Sequence, residues 1–349
     1  MIKENKLITI VGSLNYDITT YLKKIPSANE TSISDNVEYN LGGKGFNQCV
    51  SVSKSLNNTD ELQIRMLGCI GSDIYGKFFL DELTKRNVNS ESIQIIDKEN
   101  TGVANIIVES ENNHSNRIMV FAGANKHTVF NESDLDKTFN KNVEEFVVLQ
   151  NEIPDPISII KYIENKTKNK FIVYNPSPFN AIDYPADFEW GKVDIIIVNE
   201  IEAFQLAYHL SIVDDKAKPP TDDSETFTDY FLDLSNKISD KIQSSNTINA
   251  LIVTLGPKGL IYQNMKTKKN HHMNASQLFS PPIDSTGCGD TFLGYFTSTF
   301  AKNFDADNID ASILDSLKVA NSAAGIAVTR KGASSSVPTR QEVRDLYKI

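Results

Sequence analysis

Cysteine is scarce in this chain: three residues in 349, at positions 49, 69 and 288. Their odd number and wide spacing exclude a disulfide framework and a thiolate zinc site, and they suit a reducing compartment. Long apolar runs are missing as well. No stretch approaches the roughly 20 apolar residues that a membrane-spanning helix needs, and no apolar leader precedes the first expected strand. A cytoplasmic location with no membrane partner is therefore expected, and Asn57-Asn58-Thr59 is read as an accidental sequon. Positive charge is in deficit, with 35 Lys and Arg against 45 Asp and Glu, a net charge of −10. Such a chain makes a poor partner for nucleic acid. Histidine is rare, and although His271 and His272 are adjacent, no third ligand stands at a useful spacing. The pair is read as part of an exposed basic hairpin tip over 266–272.

What is present is alternation. Short apolar runs at 7–12, 65–71, 146–150, 171–175, 194–199 and 250–256 read as strands. Helical periodicity marks 45–56, 75–87, 157–168, 200–210 and 227–243. Strands alternating with helices predict an α/β fold with a mostly parallel central sheet flanked by helices, in a single domain over 1–349. The alternation breaks at about 18–40 and 101–122, where extended runs follow one another without helices. These two insertions are read as a small separate β-sheet. The proline-broken acidic stretch 213–225 is read as a surface loop.

The most informative motif is Asp284-Ser285-Thr286-Gly287-Cys288-Gly289-Asp290, followed by Phe292, Leu293, Phe296 and Phe300 at helical spacing. A helix is expected to start near Asp290, its first N–H groups unpaired and at the positive end of the dipole. Gly287 and Gly289 leave room for a phosphate against those donors. A carboxylate beside a phosphate site is at odds with its neighbour unless it takes a proton, and phosphoryl transfer to an alcohol needs such a base. The plainer reading of Asp290 is an N-terminal helix cap. A second glycine-rich run, Leu41-Gly42-Gly43-Lys44-Gly45-Phe46-Asn47-Gln48, also precedes a helix. It lacks the Ser or Thr and the spacing of a Walker loop, and it suits closure of the backbone over a small polar ligand, with Asn47 as donor and acceptor. Asn15 and Asp17 follow the first strand, at the carboxyl end where open α/β sheets bind ligands. Together they can donate to and accept from a hydroxyl; ordinary turn chemistry is the alternative.

These motifs, with Asn199-Glu200-Ile201-Glu202, Val253-Thr254-Leu255-Gly256-Pro257-Lys258-Gly259 and Val328-Thr329-Arg330-Lys331-Gly332-Ala333, occur in an order that resembles the ribokinase/PfkB family of carbohydrate kinases over about residues 7–346. The Asn-x-Asp start and the tail narrow the resemblance to the ribose-phosphorylating branch. The resemblance implies ATP-dependent transfer of a phosphoryl group to O5 of D-ribose. Asp290 would be the base and Gly287, Cys288 and Gly289 an anion hole. Asn15, Tyr16, Asp17, Gly43, Lys44, Gly45, Phe46, Asn47 and Glu152 would line the sugar site. Asn199, Thr254, Leu255, Gly256, Pro257, Lys258, Gly259, Gly289, Asp290 and Asn321 would border the nucleotide, and Asp290 would also touch the sugar. Glu202 would hold Mg²⁺ through water. Asp284, Thr286, Ala327, Arg330, Gly332 and Ser336 would form a K⁺ site, mostly through backbone carbonyls. The small sheet would act as a lid over the sugar and as a homodimer interface. Ser285 and Cys288 stand where the family usually has Thr and Ala, and Phe46 replaces a smaller residue and would narrow the pocket. Two alternatives stand beside this reading: a sister kinase acting on another sugar or a nucleoside, and a non-catalytic sugar- or nucleotide-binding regulator.

Overall fold

The structure, a computed structural model, describes residues 6–349 apart from 58–59, 110, 112–114, 140–141, 167–168, 186, 215, 222, 243–245 and 247. The last residues of two expected helices, two positions of the 213–225 loop and most of the Asn57 sequon therefore lie outside the described residues.

The chain forms thirteen described strands: β1 (Lys6–Val11), β2 (Asn15–Leu22), β3 (Asn36–Gly42), β4 (Leu62–Gly71), β5 (Ile93–Ile96), β6 (Gly102–Glu109), β7 (Ser115–Phe121), β8 (Glu145–Gln150), β9 (Lys170–Asn175), β10 (Ile195–Asn199), β11 (Ala250–Thr254), β12 (Leu260–Asn264) and β13 (Asn270–Met273). Nine make the central sheet in the order β13-β12-β11-β10-β9-β8-β1-β4-β5, parallel from β5 to β11 and antiparallel at β12 and β13. The expected α/β class with a mostly parallel sheet is what is seen. Strands β5, β12 and β13 are additional to the expected set. His271 and His272 lie in edge strand β13 and not in a hairpin tip: the ring of His271 stacks on Tyr262, and His272 Nε2 lies 2.8 Å from the Lys258 carbonyl oxygen.

Period-two alternation divides the core between the two faces of this sheet. Ile8, Ile10, Phe146, Val148, Ile195 and Ile197 point to one face, onto α1 (Lys44–Ser55) and α2 (Ile74–Lys85). Val147, Leu149, Ile196 and Val198 point to the other, onto α3 (Glu132–Phe139), α4 (Pro156–Lys166), α5 (Glu200–His209) and α6 (Phe227–Lys241). The first face also carries α7 (Cys288–Asn303), α8 (Ile309–Ala327) and α9 (Arg340–Tyr347). Near-continuous apolar strands are what a sheet covered on both faces requires.

The second sheet has the order β3-β2-β6-β7 and is built from the two expected insertions. Val37, Tyr39, Ile118, Met119, Val120 and Phe121 leave its apolar surface exposed.

Candidate active site

The parallel strands β1, β8, β9, β10 and β11 end on one side of the sheet, with Val11 opposite Leu149, Gln150 opposite Asn175 and Asn199 opposite Thr254. Successive strands run outward from β1 in both directions, so the topological switch point lies there. The polar residues that end these strands meet the starts of α1 and α7 at that point.

Both helices begin on a glycine with positive φ and lack a side-chain cap. Gly43 has φ 87°, and a Cβ there would sit 2.9 Å from the Ser13 carbonyl oxygen. Gly287 has φ 73°, and a Cβ there would sit 2.7 Å from Ala333 Cα. Each position demands glycine on sterics and backbone conformation alike. The first N–H groups of α1 are met from outside the helix by Glu152 and Ser13, while at α7 the Cys288 N–H donates to Ser285 O (3.2 Å). Space above Gly289 is open, since a Cβ built there meets nothing within 4 Å.

α7 starts at Cys288, two residues earlier than expected, so Asp290 lies inside its first turn and is not its cap. The carboxylate is buried, accepting from Gln48 Nε2 at Oδ1 (2.9 Å) and from Asn47 Nδ2 at Oδ2 (3.2 Å). Burial pushes its pKa above the ordinary carboxylate value, while the charge of Lys44 and the two amide donors pull the other way. Burial alone would lower the Lys44 pKa, yet Asp290, Glu152 and Glu202 around it hold that ammonium above its usual value. Asn47 Oδ1 is buried without a partner among the described residues. Cys288 is a neutral thiol, since burial, with Asp284 and Asp290 nearby, pushes its pKa up to about 12.

Glu152 fastens the turn after β1 to the start of α1. Its Oε2 accepts from the Ser13 hydroxyl (2.5 Å) and from the Lys44 N–H (2.9 Å). Asn15 and Asp17 alternate with Tyr16 along β2 and therefore share one side of the four-stranded sheet. Burial pushes the Asp17 pKa up to about 7, the charge of Glu152 adding to it. Tyr16 does not join them: its ring stacks on Tyr75 at 4.1 Å, near Tyr39 and Phe78. Nor does Phe46 narrow a pocket. Its ring is buried in the core, edge-on to Phe79 at 4.9 Å, because position 46 faces the sheet on α1.

Asn125 escapes a sequence reading. It lies in a 3₁₀ turn beyond β7, where its Oδ1 accepts from Leu14 N–H (2.9 Å). Its Nδ2 donates to Leu14 O (3.1 Å) and Asn15 Oδ1 (2.8 Å). With Asn15 Oδ1 engaged, the Asn15 amide nitrogen remains as a donor beside the Asp17 carboxyl group. The one local signal is Gly123, whose φ of 51° marks the turn.

On the other flank, Asn199 and Glu202 close a capping box on α5: Asn199 Oδ1 accepts from Glu202 N–H (2.8 Å), and Glu202 Oε2 from Asn199 N–H (3.0 Å). The ordinary helix-cap role is thus filled, and the box fixes the Glu202 carboxylate, whose charge Lys44 feels. Thr254 ends β11. Leu255, Gly256, Pro257, Lys258 and Gly259 form the turn into β12, pinned by Leu255 N–H donating to Gly259 O (2.7 Å). Gly256, like Gly289, has open space where a Cβ would stand. The amide of Asn321, on α8, serves the backbone: Nδ2 donates to Asn274 O (2.8 Å) and Oδ1 accepts from Ser276 N–H (3.4 Å).

Asp284 ties the cradle to the segment 327–336. Its Oδ1 accepts from Thr286 N–H (2.9 Å) and its Oδ2 from Gly332 N–H (2.9 Å). These donors and Lys331 hold its pKa below the ordinary value against partial burial. Ala327 O accepts from Arg330 N–H, Arg330 reaches Glu342, and the Ser336 hydroxyl donates to Ala333 O.

Residues 5–340 match the family described as pfkB family carbohydrate kinase. Ribokinase of Schizosaccharomyces pombe is 31% identical over 351 residues, covering 98% of each chain. Two solved structures are similar over nearly their whole length. Ribokinase from Cryptococcus neoformans in complex with ADP has a TM-score of 0.79 at 27% identity, covering 98% of this chain and 99% of that one. Arabidopsis thaliana ribokinase complexed with ribose and ATP has a TM-score of 0.77 at 25% identity, covering 99% of both.

Proposed function

The chain belongs to the pfkB family of carbohydrate kinases, and from that premise we propose that it transfers the γ-phosphoryl group of ATP to O5 of D-ribose. The observation that carries this reading is a buried carboxylate, Asp290, one residue after a glycine whose exposed side stands open at an uncapped helix start. Asn15 would donate to the sugar, and Asp17 and Asn47 Oδ1 would accept from its hydroxyls, with Lys44 and Glu152 closing the site. Asp290 would take the proton of the acceptor hydroxyl as the new O–P bond forms and the bond to the β-phosphate oxygen breaks, releasing ADP. The N–H groups of Gly287, Cys288 and Gly289 would stabilise charge on the transferring group. Open space at Gly256 and Gly289 supports the nucleotide lying between the β11–β12 turn and the cradle.

Two cations fit the donors present. Glu202 offers a hard carboxylate oxygen fixed by its own helix cap, and Mg²⁺ held through water there would neutralise the nucleotide phosphates. Asp284, kept ionised, would join carbonyls of Thr286, Ala327, Arg330, Gly332 and Ser336 around K⁺. Hard oxygens in that number suit an alkali cation. The exposed apolar residues of the lid sheet support a homodimer through that surface.

A panel of D-ribose, 2-deoxy-D-ribose, D-fructose and adenosine with MgATP, read by ADP release, tests the reading. D-ribose is expected to give the highest kcat/KM, with the phosphate on O5 by NMR. Much faster turnover of adenosine or fructose moves the assignment to a sister kinase, and no turnover with any acceptor favours a binding regulator.

A further inference from the structure

Gln48 follows Asn47 by one residue and is fully buried. Its Nε2 donates to Asp290 Oδ1 (2.9 Å) and to Asn175 Oδ1 (3.4 Å), and its Oε1 accepts from Gln150 Nε2 (2.6 Å). An ionised carboxylate only accepts, so the Gln48 amide must present its nitrogen to Asp290. The reversed amide would set oxygen against oxygen at Asp290 and nitrogen against nitrogen at Gln150. Gln150 is itself buried at the end of β8, its Oε1 packed against Gly12. A rigid strand is thereby linked through two primary amides to one oxygen of the carboxylate. The other oxygen is held less tightly: Oδ2 accepts the longer bond from Asn47, whose own Oδ1 is buried and without a partner among the described residues.

We propose that Gln48, braced by Gln150, is a positioning residue that clamps Asp290 Oδ1 and leaves Oδ2 as the oxygen presented to the acceptor hydroxyl. The inference rests on the reading of Asp290 as the base. Gln48 touches neither the proton nor the phosphate; it sets the direction and charge of the group that does. A carboxylate that loses one donor binds its proton more tightly, and a base displaced by a fraction of an ångström loses much of its rate.

Gln48→Met and Gln150→Met remove the amides at similar volume. In Gln48→Met, kcat should fall roughly 10- to 100-fold while both KM values stay within about threefold, the pattern of an interaction made in the transition state. The acidic limb of the kcat profile should move up by about one pH unit. Gln150→Met should show the same changes, smaller. The second readout needs no turnover: difference infrared titration of the Asp290 carboxylate, with Asp290→Asn as the blank, should shift upward in both variants. Variants that fold with an unmoved kcat limb and an unmoved infrared titration overturn the proposal and leave Gln48 a buried amide of the core. Should Gln48→Met not fold, Gln150→Met alone decides by the same two measurements. If the parent protein phosphorylates no acceptor, the kinase reading fails, while the infrared shift still decides whether the amides control Asp290.

Discussion

Two charged groups, one buried and one partly buried, lie at opposite ends of the same strands, and they are built differently. At the amino-terminal end, Glu145 is buried with both oxygens matched: Oε1 meets Arg65 NH2 (2.6 Å) and the Thr9 hydroxyl (2.5 Å), and Oε2 meets Lys170 Nζ (3.0 Å). One carboxylate faces two cations. At the carboxyl-terminal end, one ammonium, Lys44, feels the charges of Asp290, Glu152 and Glu202, and Asp17 feels that of Glu152. The first group is complete within the chain. The second holds more carboxylates than cations; burial first, and then the charge of Glu152, raises the Asp17 and Asp290 carboxyl groups. A surplus of buried and half-buried carboxylate costs stability unless protons or cations arrive. Its presence at a switch point marks a site completed by ligands, whereas the Glu145 group marks a fold that needs none there.

The sharpest way to break this contrast is to remove one carboxylate from each end. Glu145→Ala withdraws the anion that two cations share, and it should cost about 3–5 kcal/mol of stability. Urea unfolding measures this, and turnover of the folded fraction at low temperature should stay within about twofold. Equal stability of the variant and the parent would put the Glu145 group outside the folding account. Asp290→Asn should do the reverse. It keeps shape and the bond from Gln48, and the Asn47 amide can turn its oxygen to the new NH2 group; the unfolding midpoint should move little, while kcat falls by roughly 10²-fold or more, equivalent to about 2.7 kcal/mol of barrier. Near-normal turnover would return Asp290 to a structural place in the first turn of α7.

The contrast also explains what could be read from the sequence. Glycines and carboxylates in short motifs announce the site because backbone approach and proton transfer restrict residue choice: Gly43, Gly287, Asp290 and Glu152 all meet at the switch point. Alternation of strand and helix announces the sheet because a two-faced core demands period-two burial. Asn125 and Gln150 were not legible, since an amide bracing another amide carries no pattern in one dimension. Tyr16 and Phe46 were drawn into the site by adjacency to Asn15, Asp17 and Asn47. The side-chain direction that removes them is set by strand alternation at Tyr16 and by the helix face at Phe46. Asn199 shows a double use that sequence cannot separate, because the residue that would face a phosphate is also a sound helix cap.

A smaller effect should come from Asp17, and its sign can be worked out. Its folded pKa, about 7, lies above its ordinary value of 3.8. The folded state therefore binds this proton more tightly, so the group contributes a stability loss that grows as pH rises from about 4 to 7. Asp17→Asn should flatten that decline in thermal unfolding across the same window. Ionised Asp17 accepts a sugar hydroxyl better than the neutral acid does, so KM for ribose should fall as pH rises through about 7. In Asp17→Asn, KM should be raised several-fold and lose this dependence, while KM for ATP barely moves. A sugar KM that is flat with pH in the parent would detach Asp17 from the ligand.

The smallest effect concerns the cation expected at Asp284, where the contrast is at its weakest because both oxygens of this carboxylate already have backbone partners. Asp284 links the cradle to Gly332, and the same segment reaches the lid: Lys331 Nζ pairs with Glu38 at 2.6 Å and sits over the Tyr21 ring, and the Ser334 hydroxyl donates to Leu41 O at 2.8 Å. A cation bound there would hold the first N–H groups of α7 and the edge of the lid in one piece. Small errors in such donors are costly in rate. The dialysed enzyme in tetramethylammonium buffer should therefore gain activity about threefold to tenfold on adding potassium, the scale of slight misplacement of those donors, and less on adding lithium. The larger ion suits a ring of several carbonyls. Asp284→Ala should lose the response without losing Asp290. A flat response at saturating ATP and ribose, with residual potassium measured and excluded, would show that Asp284 serves the backbone alone, and that Gly332 and Thr286 complete it much as Arg65 and Lys170 complete Glu145.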